Sequence, residues 1–196
     1  MLLYGARNGC AFPVRPDGSR YILFGESPPL PCIGIARSLD NFETYTVVNG
    51  KDFLLPLGAN NTAEPEIVVE ASTPVVQLAT GDYLHLYSAG TPGWVPNGNY
   101  TAGWIVMDAQ DPSVILQRSS SHVLIASKDY EGVPPLHGFP VQRYRTTFVT
   151  SIVPISGTVA KSGNGTVVQK YRLWWGAADA NVATGILTVT AVPTAR

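Results

Sequence analysis

Tyr83-Leu84-His85-Leu86-Tyr87 is the clearest strand in the chain, and it has two echoes. Tyr21-Ile22-Leu23-Phe24-Gly25 precedes it, and Tyr171-Arg172-Leu173-Trp174-Trp175-Gly176 follows it. Each echo is followed by a segment of glycine and small residues: Ile33-Gly34-Ile35-Ala36, Ala102-Gly103-Trp104-Ile105 and Ala183-Thr184-Gly185-Ile186. The three copies read as the second and third strands of a unit repeated along the chain.

Working outward, short apolar runs broken by Gly, Pro, Asn and Asp dominate, and no stretch holds a helical period for three turns. Strands are expected at 10–14, 20–25, 32–37 and 43–48, with a turn at Arg15-Pro16-Asp17-Gly18. A second set takes its first strand from 66–69 or from 75–78, turns at Thr80-Gly81-Asp82, and continues at 83–88, 102–108 and 114–118. A third runs through 146–155, a loop over 156–166, then 167–175 and 183–192. Four, four and three strands, at spacings of roughly 50 to 65 residues, suggest propeller blades in an all-β fold. A sandwich is the alternative that many short strands also fit. The expected architecture is one partial β-propeller domain over 1–196, with blades near 8–56, 62–120 and 140–192. Three blades do not close a ring. The open edge left behind exposes the chain to self-association.

Composition agrees with this class. Of 196 residues 45% are apolar and only 14% charged, with 19 Gly and 16 Pro, which favours β-rich structure over helical bundles or disorder. A formal charge of −1 with scattered Lys and Arg gives no footprint for nucleic acid. No apolar run approaches the roughly 20 residues of a membrane helix, and the opening MLLYGARNGC does not read as a signal peptide. Cys10 and Cys32 are expected as two buried thiols rather than a disulfide. Sequons at Asn60, Asn99 and Asn164 permit glycosylation without showing secretion, and the compartment stays open. His85, His122 and His137 do not cluster with Cys or carboxylates at metal-ligand spacing, so no metal or cofactor is expected.

Six segments in order carry a resemblance. They are Arg7-Asn8 leading into Ala11-Phe12-Pro13, Ile33-Gly34-Ile35-Ala36-Arg37-Ser38 with Asp40, and Tyr83-Leu84-His85-Leu86-Tyr87. Then come Asp111-Pro112-Ser113-Val114-Ile115-Leu116-Gln117-Arg118, Tyr130-Glu131-Gly132, and Trp174-Trp175-Gly176-Ala177-Ala178-Asp179. From residue 7 to about 190 the chain resembles the C-terminal three blades of the five-bladed propellers of glycoside hydrolase family 130, the β-mannoside phosphorylases and hydrolases. Arabinanase-like propellers are the nearest alternative.

The resemblance implies that the first two blades, which carry the phosphorylase general acid, are absent. It implies a glycosidase acting on mannose-containing oligosaccharides once they are supplied, or otherwise a binding module or phosphorylase remnant. Arg7 and Asn8 match a pair at the funnel mouth that contacts phosphate or sugar, and a guanidinium fork suits either. Glu26 falls where phosphorylases carry a phosphate-binding Arg, and Glu64 falls near another phosphate contact. Ser88 stands where phosphorylases show a His. These changes point toward the hydrolytic branch, with Glu26 and Glu64 as acid and base of an inverting reaction about 6.5–9.5 Å apart. Glu66 or Glu70 is an equal candidate for the acid. Asp179 matches an aspartate that bonds a sugar hydroxyl, and Tyr87 and the Trp174-Trp175 pair offer rings for stacking. Core packing is expected for at least one Trp, and Asp111-Pro112 and Tyr130-Glu131 are expected to fix loops.

Overall fold

The structure is a computed structural model that describes residues 6–26, 32–48, 53–58, 66–91, 99–132, 145–163, 165–178 and 181–192. For Arg7, Asn8 and Glu26 it describes the backbone alone. Thirteen strands and a single 3-10 turn at Asp129–Glu131 make up the regular structure among these residues, so the chain is all-β as expected.

The first sheet runs β1 (Ala6–Ala11), β2 (Arg20–Glu26), β3 (Ile33–Ser38), β4 (Thr46–Val47), antiparallel in chain order. Strand β1 begins and ends earlier than the expected 10–14, because Pro13 has no N–H to give to a ladder. It also holds an extra residue: Arg7 faces Gly25 and Gly9 faces Phe24, which leaves Asn8 as a bulge. Strand β4 is far shorter than 43–48. The Ser38 hydroxyl accepts the Phe42 N–H at 2.9 Å, and the Asp40 carboxylate accepts the Thr44 N–H at 2.9 Å. Those side chains take the backbone groups a longer strand would have used.

In the second sheet both proposed first strands form. β5 (Val68–Ala71) and β6 (Val76–Gln77) each pair with β7 (Tyr83–Gly90), which pairs with β8 (Asn99–Met107) and through it with β9 (Ile115–Arg118). Between β5 and β6 the Thr73 hydroxyl and N–H both donate to the Leu86 carbonyl, at 3.2 Å each, so the ladder is bridged across the break.

The third sheet is β10 (Arg145–Pro154), β12 (Val167–Ala177) and β13 (Asn181–Ala191), with a short β11 (Ala160–Lys161) pairing β12 inside the stretch expected as loop. A two-residue parallel contact, Arg145 with Asn99 and Thr146 with Tyr100, joins it to the second sheet. Among the described residues no sheet closes on itself, and β13 pairs only with β12.

Two apolar cores lie between successive sheets. The first contains Tyr21, Leu23, Ile33 and Ile35 of the first sheet with Val69, Tyr83, Tyr87, Ile105 and Met107 of the second. The second contains Leu84, Leu86 and Ala102 of the second sheet with Val149, Ile152, Tyr171, Leu173 and Trp175 of the third. Successive residues of β7 point into alternate cores, so all eight of its residues are buried. Face-to-face sheets of this kind form a propeller-like stack.

The aromatic–glycine echo has a packing cause. Phe24, Tyr87 and Trp175 each lie over a glycine of the next strand: Gly34, Gly103 and Gly185. A Cβ at Gly34 or Gly103 would overlap the ring, while at Gly185 it would meet Trp175 at 3.2 Å. In the second and third sheets the initial tyrosine and the stacked aromatic share a core, Tyr83 with Tyr87 and Tyr171 with Trp175. In the first sheet Tyr21 enters the core but Phe24, three residues on, lies on the opposite face. The echo there is one residue out of step with the alignment of the three tyrosines.

Candidate functional site

All three sheets run in the same sense. The β1–β2 turn meets the β8–β9 turn, where Arg15 donates to the carbonyls of Ala109 and Gln110 at 2.9 Å each. The β6–β7 turn meets the start of β12, where the Ala79 N–H donates to Gln169 at 3.2 Å. At the opposite end the start of β10 lies beside the start of β8, and the Ala178 N–H donates to Thr146 O at 3.1 Å after β12 ends.

At that opposite end lie the backbone positions of three of the expected site residues, Arg7, Asn8 and Glu26. Arg7 and the Asn8 bulge begin β1, and Glu26, which ends β2, pairs with Ala6 across the ladder. Glu66 immediately precedes β5, and Ala178 follows β12 in a left-handed conformation with φ 50°. Glu64 and Asp179 lie outside the described residues, two positions before Glu66 and one after Ala178. Bulges re-aim side chains where a regular strand would fix them, and Asn8 sits at one.

Tyr87 departs from the expectation of a stacking platform. It is completely buried. One face lies over Gly103, Arg118 stands over the ring at 5.4 Å, and no face is open to a sugar. Its hydroxyl donates to Glu66 Oε1 at 3.0 Å and accepts from Arg118 Nε at 3.2 Å. The Arg118 guanidinium also pairs with Glu66 Oε2 and donates to Pro56 O at 2.9 Å. The Gly58 N–H donates to Glu66 Oε2 at 2.8 Å, and His122 Nε2 stands 3.5 Å from Oε1.

Burial alone would raise the Glu66 carboxyl, but His122, Arg118 and the Gly58 and Tyr87 donors outweigh it and hold the group below the ordinary carboxylate range. Burial and the Glu66 charge push the Tyr87 phenol upward. Glu66 is thus an ionised, fully occupied carboxylate that ties the stretch before β5 to β7 and β9. As an acid donating a proton to a leaving group it is poorly placed. Glu70 accepts the Tyr100 hydroxyl at 2.8 Å.

The third sheet repeats the device. Trp175 Nε1 donates to Glu131 Oε1 at 3.1 Å, and Glu131 Oε2 accepts the N–H groups of Ser127 and Lys128 at 2.7 and 2.9 Å. A glutamate from the segment before the sheet holds the polar tip of the ring stacked on glycine, as Glu66 does for Tyr87. Glu131 fixes its loop as expected, and Trp175 is a core residue while Trp174 is half-buried. Sequence reasoning missed Arg118 and His122. The signal was present in Arg118, a cation closing a short apolar strand, which needs an anion when buried.

Cys10 and Cys32 are both buried and not joined to each other, and burial pushes the Cys10 thiol up to about 11. Among the described residues no group of three His, Cys, Asp or Glu could hold a metal ion, and no helix is long and apolar enough to cross a membrane.

No protein-family model matches the chain, and no curated protein matches it. Solved structures do. A β-1,2-mannobiose phosphorylase from Listeria innocua, in complex with β-1,2-mannobiose, matches with a TM-score of 0.62 at 19% identity over 96% of this chain and 44% of its own. A glycosyl hydrolase from Bacteroides ovatus matches with a TM-score of 0.62 at 19% identity, over 92% of this chain and 48% of its own. A third belongs to the mannoside phosphorylases of glycoside hydrolase family 130, described as containing hydrolases that target β-1,2-mannosidic linkages in Candida mannan. It matches with a TM-score of 0.62 at 18% identity, over 92% of this chain and 48% of its own. The chain has a fold like that of these glycoside hydrolase family 130 structures, as its motifs suggested, and spans about half their length.

Proposed function

We propose that the chain is a carbohydrate-active, partial five-bladed propeller that takes β-mannosides at the sheet end bearing Arg7, Asn8 and Glu26. The convergence of those positions with the stretches leading to Glu64 and Asp179, at one end of three like-oriented sheets, carries this reading. In it Glu26 and Glu64 are the acid and base of inverting hydrolysis, and Arg7, Asn8 and Asp179 hold the sugar. Tyr87, Arg118 and Glu66 anchor the segment that delivers Glu64, which makes Tyr87 a positioning residue. The fold likeness to mannoside phosphorylases and hydrolases supports the sugar class.

A second reading is a sugar-binding propeller without turnover, favoured by the chain spanning about half the length of the structures it matches. The test is mannose release from β-1,2-mannobiose with and without inorganic phosphate. Phosphate-independent release, abolished by Glu26→Gln or Glu64→Gln, is expected of the hydrolase. A mannobiose-dependent change in Trp fluorescence without release would move the assignment to the binding module. Neither release nor binding would overturn both.

A further inference from the structure

The face of the second sheet that looks toward the third is apolar for much of its length, through Leu84, Leu86 and Ala102. Toward the site end it turns polar. Glu70 of β5 lies directly opposite Ser88 of β7, and Ser88 directly opposite Ala102 of β8, so their side chains share that face. The Tyr100 hydroxyl, two residues from Ala102 on the same face, reaches across β7 and donates to Glu70 Oε1 at 2.8 Å. Both side chains are half-buried. The Ser88 hydroxyl beside them is fully buried and has no hydrogen-bond partner among the described residues. Phe148 of β10 packs against the Tyr100 ring from the third sheet, with centroids 5.6 Å apart. A carboxylate placed on an otherwise apolar face costs free energy unless its charge has a use.

We infer that Glu70, oriented by Tyr100, is a further sugar-binding residue: its carboxylate accepts hydroxyl hydrogens of a mannoside bound where the second and third sheets meet. The inference rests on the β-mannoside reading above and adds a residue to that site. Position is the first argument. Tyr100 pairs with Thr146, where the two sheets join, and Thr146 O accepts the N–H of Ala178, the chain neighbour of Asp179. Glu70 lies on β5, the strand into which the stretch carrying Glu64 leads. The Glu70–Tyr100 pair thus spans from the approach to one expected site residue to the approach to the other. Chemistry is the second argument. A carboxylate can accept from two hydroxyls at once, the pattern that vicinal sugar hydroxyls present. A half-buried ring beside it offers an apolar surface to sugar C–H groups. Tyr100 supplies here what Tyr87, covered by Gly103 and Arg118, does not. A tie between strands would need no charge, since a glutamine at position 70 would accept the Tyr100 hydroxyl as well.

The affinity of the full chain for β-1,2-mannobiose tests this, read as Kd by calorimetry or as KM where mannose is released. Glu70→Gln keeps an acceptor for the Tyr100 hydroxyl and removes the charge. It is expected to weaken binding about tenfold or more, with the melting temperature unchanged. Tyr100→Phe drops the bond and keeps the carboxylate, so a smaller loss, within about fivefold, is expected. Glu70→Gln binding as tightly as the wild type would strike Glu70 alone and leave the sugar reading standing. The reverse ranking, with Tyr100→Phe the weaker binder, would make the pair a strand tie and also overturn the proposal. A wild-type chain that neither binds nor cleaves mannobiose would remove the sugar reading and this inference together.

Discussion

The second and third sheets are built on the same plan and live in different surroundings. Each stacks an aromatic of its second strand on a glycine of its third, and each ties that aromatic to a glutamate from the preceding segment. Yet β7 is buried on all eight residues, whereas β13 alternates between exposed and half-buried from Val182 onward. The local plan sets the pairing, and the neighbour on the far face sets the burial. A polar group in the second sheet is therefore held at higher stakes than its counterpart in the third.

The sharpest way to break the comparison is at the two glutamates. Glu66→Ala leaves Arg118, with its side chain 13% exposed, beside an uncompensated cavity, and is expected to cost about 3–5 kcal/mol. Glu131→Ala removes hydrogen bonds without stranding a charge and is expected to cost about 1–3 kcal/mol. Urea unfolding of both variants measures the gap; equal losses would mean that the extra Arg118 and His122 of the second sheet add nothing.

His85 offers the next test, because the matching position of the third sheet is the apolar Leu173. Burial pushes His85 down to about 3, against a smaller opposing effect of the Thr73 backbone. Its folded value lies below its unfolded one, so the unfolded chain takes the proton first as pH falls. No penalty exists above about pH 6.5, and stability drains between there and pH 3, by on the order of 3 kcal/mol at pH 4. His85→Leu is expected to flatten that part of the stability–pH curve. A curve with unchanged slope would show that other groups carry the acid sensitivity.

The mildest probe is the pair of glycines. Gly103→Ala forces a Cβ into the Tyr87 ring between two covered faces and is expected to cost about 1–3 kcal/mol. Gly185→Ala meets only the rim of Trp175 at 3.2 Å on an edge strand and is expected to stay within about 1 kcal/mol. Thermal melts of the two variants read the difference, and equal shifts would make the stacking incidental.

The sequence made the second strands legible because an apolar run bounded by turns needs only local information. The segments at 20–25, 83–88 and 167–175 are all strands in the structure. Failures arose where side chains compete with the ladder, as Ser38 and Asp40 do before β4, or where one residue is inserted, as at Asn8. The one-residue slip of Tyr21 against Phe24 was invisible because an aromatic suits either face of a sheet buried on both. The pairing of Glu66 with Arg118 spans 52 residues and no local pattern announces it. Of the proposed site, only the placement of β2 was legible in advance, since β1 was expected at 10–14 and lies at Ala6–Ala11. Tyr87 read as a sugar platform because its burial depends on Gly103 and Arg118, far along the chain.

The stacked rings also give the molecule keyed and unkeyed joints. Tyr87 faces the first sheet and Trp175 faces the second, each with a polar tip held by a carboxylate. Glu66 in turn accepts the N–H of Gly58, three residues after the Leu55 bridged to Ile33 of β3. Glu131 accepts the N–H groups of Ser127 and Lys128, just after the Leu124 bridged to Ala102 of β8. Phe24 looks the other way, out of the first core, and has no tip to lock. A surface of that kind permits sliding and re-registration where the keyed joints forbid it. Shear applied to this stack is expected to be resisted at both seams between the sheets.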